Sequence, residues 1–389
     1  MLVTRGPDRW RPYTGAALAL LLSTAPAVAQ VAAPPRPALE RAATAPGSLR
    51  YQAAIDSGRA VLRALMEQHG IPGLSVAVIV DGDVVWSEGF GFADLEGRVP
   101  VTPLTRFRIG SISKPVTAEA MGLLVEQGKL DLDVPVQTYV PDYPRQRWPI
   151  TTREVAGHQA GIRHYANEGE MLSSRHYGSV REELGIFEHD TLLFEPGTRY
   201  SYSSYGFNLL SAVVEGAAGE PFLGYLRRHV FEPLGLRSIV AGHVDSIIPW
   251  RARFYERGRD GRVTNAPYVD LSNKWAGGGF VSSSEDIARF GWSHVAGGLL
   301  KPETVALLTT PQTLRSGERT EYGLGWFSGT DSAGRHWYGH TGSSTGGRAV
   351  LVVYPEQRVV VAALANLGQA PMSTQLAARL AGPFVAARR

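Results

Sequence analysis

Residues 107–119 read FRIGSISKPVTAE and set Ser111 and Lys114 three places apart where a helix begins. Residues three apart on a helix share a face, so the two side chains can meet. Pro115 is tolerated only in a first helical turn, because deeper in it would remove a backbone hydrogen bond. Ser111 is therefore expected at a helix N-terminus, where free N–H groups and the helix dipole favour negative charge. Two readings of the pair follow. Either Ser111 caps the helix beside a solvated Lys114, or Ser111 is a nucleophile and Lys114 its base, kept neutral by burial. Ser-x-x-Lys alone does not separate them. Lysine is scarce, however: the others are Lys129, Lys274 and Lys301, and none has a serine three residues earlier.

On the N-terminal side, Ile55, Val61, Leu62, Leu65 and Met66 recur at helical spacing up to Gly70. Two apolar runs joined by Asp81-Gly82 then signal a hairpin. The helix that begins near Ser111 has its stop signal at Gly128. From about 130 to 300 the chain reads as short helices and loops, with helices expected near 204–218, 221–231 and 284–297. Strands return after Tyr322 and end in a hairpin turning at Pro355-Glu356-Gln357, and residues 373–387 close the chain as a helix. A lone hairpin is rarely stable. The terminal strands are therefore expected to pair into one antiparallel sheet flanked by the terminal helices, with a helical lobe inserted over about 115–300. This is an α+β architecture, with a site expected in the cleft between sheet and lobe.

Composition narrows the chemistry. The 389 residues are 44% apolar and 19% charged, with 44 Gly, 25 Pro and a formal net charge of +3. No basic block with interleaved aromatics occurs, so nucleic acid is not an expected partner. Cysteine is absent, which removes disulfides, thiolate nucleophiles and cysteine metal sites. The ten histidines are scattered without ligand spacing; His158 and His164 flank QAGIR with no carboxylate pattern beside them. There is no phosphate-binding glycine loop, and no cofactor or metal is expected.

The N-terminus carries Arg5, Arg9 and Arg11, an apolar run over 15–22, and Ala27-Val28-Ala29 before a small-residue cleavage point. Residues 1–29 are expected to be a signal peptide cleaved after Ala29, and export to a bacterial periplasm follows. Ser23, Thr24 and Pro26 interrupt the apolar run well short of the about 20 residues that span a bilayer, so no stable span is expected after cleavage. Residues 30–50, rich in Ala and Pro, read as a linker, and 51–389 as the folded domain.

Two further stretches bear on Ser111. In RYSYSSYGFNLL, Tyr202 is either a phenol base or proton shuttle, with Ser204 as polar neighbour, or a packing tyrosine. In YGHTGSSTGG, His340, Thr341 and Gly342 lie on a strand that either supplies a backbone N–H to a reacting carbonyl or simply enters a hairpin. The same stretch holds a rival, Gly342-Ser343-Ser344-Thr345-Gly346, matching the nucleophile elbow G-x-S-x-G. That elbow needs a helix next, then an acid and a histidine. Here a hairpin follows, and after Ser344 there is no His or Asp.

Taken in order, FRIGSISKPVTA, YSYSSYGFNLL and GHTGSSTGG resemble the S-x-x-K, Y-x-N and K/H-T-G motifs of the serine β-lactamase/penicillin-binding-protein superfamily. The resemblance runs over about 55–385 and is closer to class C β-lactamases and related esterases and peptidases. ITTREVAGHQAGIRHY and KWAGGGFVSSSEDIARFG are especially similar to the mitochondrial serine β-lactamase-like group and its bacterial relatives. It implies a β-lactamase/transpeptidase-like fold. It also implies Ser111 as acylated nucleophile, Lys114 and Tyr202 sharing proton transfer, and the N–H groups of Ser111 and Ser343 as oxyanion hole. His340, Thr341, Gly342 and Ser204 would border the substrate, a small molecule or peptide with an amide or ester bond. Esterase or weak β-lactamase activity, or a non-catalytic binding role on this scaffold, are the alternatives, and oligomeric state is left open. Ser204 stands where most of the superfamily has Asn. His340 stands where β-lactamases have Lys, and an ordinary imidazole is mostly neutral at pH 7, so a substrate carboxylate would be held weakly.

Overall fold

The computed structural model describes residues 46–388. The expected signal segment and the linker through residue 45 lie outside them. Residues 46–50, expected as linker, belong to a 3-10 turn, Pro46–Tyr51, that runs into α1 (Gln52–His69). The chain then forms β1 (Gly73–Val80), β2 (Asp83–Asp94) and β3 (Val99–Pro100). Asp81 and Gly82 both take positive φ at the first hairpin, the geometry that such a dipeptide favours.

After β4 (Phe107–Arg108) and a 3-10 turn at Gly110–Ile112, α2 (Ser113–Glu126) enters the inserted lobe. Pro115 lies in its first turn, as its missing N–H requires. The lobe continues through α3 (Thr152–Ala156), α4 (Glu168–Met171), α5 (Val180–Leu184), α6 (Ser204–Ala218) and α7 (Phe222–Leu226). It also carries short strands where the sequence signals none: β5 (Val240–Ala241), β6 (Tyr255–Arg257), β7 (Val263–Asn265) and, after α8 (Trp275–Gly278), β8 (Phe280–Ser282). These are two or three residues long, too short for an alternation to register in sequence. α9 (Ser284–Ala296) and α10 (Pro302–Thr309) complete the lobe.

The chain returns to the main sheet as β9 (Phe327–Thr330), β10 (His336–Ser344), β11 (Gly347–Tyr354) and β12 (Val359–Ala365), and ends in α11 (Thr374–Arg388). The sheet is antiparallel in the order β3-β2-β1-β12-β11-β10-β9. The terminal segments thus meet as expected, with Val78 opposite Val361 in the β1–β12 pair.

Alternation within the central strands divides two cores. Val350, Val352 and Val361 pack with α1 and α11, whereas Leu351, Val353 and Ala362 pack with α2 and α9. Covering both faces explains why β11 and β12 read as continuous apolar runs. Each fully buried Val or Leu contributes about 1.5–3 kcal/mol of transfer free energy.

One feature of the sheet positions the site. β9 pairs with β10 only from His336 to Gly339. The outer edge of His340–Ser344 is therefore not covered by β9, and the serine-bearing turn at Gly110–Ile112 packs there.

Candidate active site

The Ser111 turn and β10 touch backbone to backbone. A methyl group built on Gly342 would lie 1.9 Å from Ile109 O, and one on Gly110 would lie 2.6 Å from Ser343 N. Gly110 also has φ +50°, a conformation that favours glycine. Ser113 fixes the turn by donating its hydroxyl to Gly110 O at 2.8 Å. The Ser111 side chain, at the start of the helical segment, faces a cleft of about 510 Å³ bordered by Tyr202, Ser204, Thr341, Ser343 and Arg348. The cleft lies between the β10 edge and the lobe, where the sequence reading expects it.

Lys114 is fully buried on the first turn of α2. Its Nζ lies 3.1 Å from Ser111 Oγ, 3.0 Å from Ser204 Oγ and 2.7 Å from Gly277 O. All three partners are neutral oxygens, and burial pushes the amine well below its ordinary value. A neutral amine has two N–H donors and one lone pair. Gly277 O can only accept and Ser204 Oγ can accept, which leaves the lone pair for the Ser111 hydroxyl proton. Gly277 is held over the lysine by α8, which docks on α2 through Thr117 Oγ1 donating to Ala276 O at 2.9 Å. Ser204 thus holds the lysine as well as bordering the cleft.

Tyr202 borders the same cleft as Ser111, and its ring centroid lies 4.7 Å from Lys114 Nζ. Burial raises its pKa above the ordinary phenol value, so the residue holds its proton as a neutral phenol. His158, His164 and Tyr322 surround the ring, with centroids 4.4, 5.8 and 6.2 Å away. The two histidines accept backbone N–H bonds through Nδ1, His158 from Ser203 and His164 from Ser204. They fix the segment that carries Tyr202.

His340 lines the cleft yet has both ring nitrogens engaged within the protein. Nδ1 lies 2.6 Å from Thr341 O and so must donate; Nε2 lies 3.0 Å from the Tyr322 hydroxyl and so accepts. Burial holds its pKa at about 3, and the ring is neutral. It offers a substrate carboxylate no positive charge at all, a stronger statement than the sequence permits. Among the described residues, the cations that border the cleft are Lys274, held by burial at about 8 and donating to Met171 O, and Arg348.

Arg163 ties Glu170 at 2.8 Å to Asp190 at 2.6 Å, Asn167 caps α4 and Ser179 caps α5. Residues that the sequence reading did not single out are Gly277, Tyr165, Tyr322 and Arg348. The first acts through its carbonyl oxygen, which no side-chain pattern announces.

Comparison with known proteins gives a consistent picture. A family model described as Beta-lactamase matches residues 59–384. The human protein (Homo sapiens) described as Serine beta-lactamase-like protein LACTB, mitochondrial, is 34% identical over 80% of this chain and 74% of its own. A D-aminopeptidase from Gluconobacter oxydans is 29% identical over 84% of this chain and 62% of its own. Among solved structures, the octameric penicillin-binding protein homologue from Pyrococcus abyssi superposes with TM-score 0.73 at 27% identity, covering 85% of this chain and 77% of that one.

Proposed function

The chain belongs to the Beta-lactamase family, and from that premise we propose that it is a serine hydrolase acting on amides through an acyl-enzyme at Ser111. The 3.1 Å contact between Lys114 Nζ and Ser111 Oγ, with the lysine kept neutral by burial, carries this reading. In the first step Lys114 Nζ takes the hydroxyl proton as Ser111 Oγ bonds to the substrate carbonyl carbon. The carbonyl oxygen becomes an oxyanion between the N–H groups of Ser111 and Ser343. The tetrahedral species collapses as the C–N bond breaks. Tyr202 gives its hydroxyl proton to the departing nitrogen and regains one from the Lys114 ammonium. Water then attacks the ester carbonyl by the same route in reverse, releasing the acid and restoring the Ser111 hydroxyl.

Amide substrates are favoured by the relative named D-aminopeptidase. The neutral, fully engaged His340 argues against a substrate selected by a carboxylate beside it. Export rests on the arginines and apolar run of residues 1–29; among the described residues no helix is long and apolar enough to cross a membrane. Hydrolysis profiled over D-amino-acid amides, short peptides, p-nitrophenyl esters and nitrocefin tests the assignment. It predicts faster turnover of amides or peptides than of nitrocefin, and a nitrocefin rate matching a dedicated resistance enzyme would overturn it.

A further inference from the structure

A second cavity, of about 410 Å³, shares no lining residue with the cleft beside Ser111. Arg108, three residues before Ser111, forms one wall and is 8% exposed. Its Nη1 donates to Thr345 O at 2.7 Å, and its guanidinium stacks 4.2 Å above the Phe254 ring. Among the described residues no carboxylate forms an ion pair with it. Glu256 acts on it at a distance and makes its own hydrogen bonds to Gly346 N and Gln369 Nε2 instead. Burial and the neighbouring Arg251 lower the Arg108 pKa to about 10, and the charge of Glu256 offsets this only in part. Leaving such a charge unpaired is costly, and a bound anion would remove that cost.

The other two arginines of the cavity define the charge it can hold. Arg253 is bridged to Asp94 at 3.1 Å and Glu96 at 3.9 Å, so its charge is already matched. Arg251 gives Nη1 to His243 O at 2.7 Å and keeps its remaining donors. Apolar and aromatic walls are supplied by Phe254, Leu271 and Tyr268, the last 67% exposed at the mouth. A planar carboxylate suits a guanidinium fork, and a single charge suits one unpaired buried arginine better than a phosphate dianion does.

We propose that this cavity binds a small monoanionic carboxylate with an apolar body, held by Arg108 and Arg251 and packed on Phe254 and Tyr268. The site is separate from the hydrolase reading and does not depend on it. Because Arg108 also holds Thr345 at the rim of the cleft, the two sites share one structural strut.

Calorimetric titration of the full chain with hydrocinnamate, the neutral hydrocinnamyl alcohol and inorganic phosphate tests the site. Hydrocinnamate is expected to bind at least about tenfold more tightly than the alcohol, the scale of one charge-assisted pair. Arg108→Met, and Val244→Phe, which fills the cavity and leaves the guanidinium in place, should each weaken binding about tenfold. Arg348→Ala, which removes a cation from the cleft instead, should change it by less than about twofold. Absence of binding, equal affinity for the alcohol, or tighter binding of phosphate would overturn the proposal. So would loss of binding in Arg348→Ala with full retention in Val244→Phe, the variant that carries the test if Arg108→Met does not fold.

Discussion

Lys114 reaches Ser111 Oγ from a position where every hydrogen-bond partner of its amine is a neutral oxygen. Burial in that setting favours the neutral amine, the form that can act as a base. Its native pKa lies below the unfolded value near 10.5, so between the two the unfolded state holds a proton that the native state lacks. Stability therefore rises with pH across that window. Lys114→Met removes the penalty. The variant should match or exceed the wild-type thermal midpoint at neutral pH while its acylation rate falls about 10²–10⁴-fold. A variant that unfolds, or that still acylates at the wild-type rate, contradicts the assignment.

Tyr202 holds its proton because burial disfavours the phenolate, so its contribution is a relay to the leaving group. Tyr202→Phe keeps the ring among His158, His164 and Tyr322 and should leave the thermal midpoint nearly unchanged. Single-turnover acylation by an amide should slow about 10²–10⁴-fold. Activated esters, whose leaving groups need no proton, should lose less. Equal losses on amide and ester would remove the relay role.

Gly342 presses on Ile109 O so closely that no side chain fits. Gly342→Ala must push the Ser111 turn away from β10, and overpacking of this kind costs about 1–3 kcal/mol. The same displacement separates the N–H groups of Ser111 and Ser343. Both the thermal midpoint and the acylation rate should fall, and a midpoint unchanged from wild type would count against the close approach.

Two buried imidazoles make the protein sensitive to acid. His340 titrates at about 3 and His158 well below 6.5, whereas both titrate near 6.5 when unfolded. Between these values the unfolded state binds more protons, so stability falls as pH drops from about 6.5 toward 3. The thermal midpoint should decline between about pH 7 and pH 4, and His340→Gln should flatten the decline. A midpoint independent of pH over that range would show that these rings are not held neutral.

Much of this was legible from residues alone because it lies in local rules. The Asp81-Gly82 hairpin, α6 and α9 announce themselves by dipeptide and periodicity, and Pro115 restricts Ser111 and Lys114 to one turn. The need to pair lone hairpins points to the β1–β12 seam. What stays hidden depends on contacts between distant segments. Ser204 meets Lys114 across 90 residues and Gly277 O meets it across 163, neither marked by any spacing. His340 has a sequence neighbourhood that suggests a substrate contact, but Tyr322 folds back to occupy Nε2. The short strands β4, β5 and β8 exist because they pair with one another, not because two or three residues specify a strand.

Acylation of Ser111 is tested directly by intact-mass analysis after incubation with a labelled fluorophosphonate or penicillin. Wild type is predicted to gain one adduct that peptide mapping assigns to Ser111, with no adduct in Ser111→Ala. An adduct that persists in Ser111→Ala, or a wild type that labels with neither probe and turns over no ester, would contradict it.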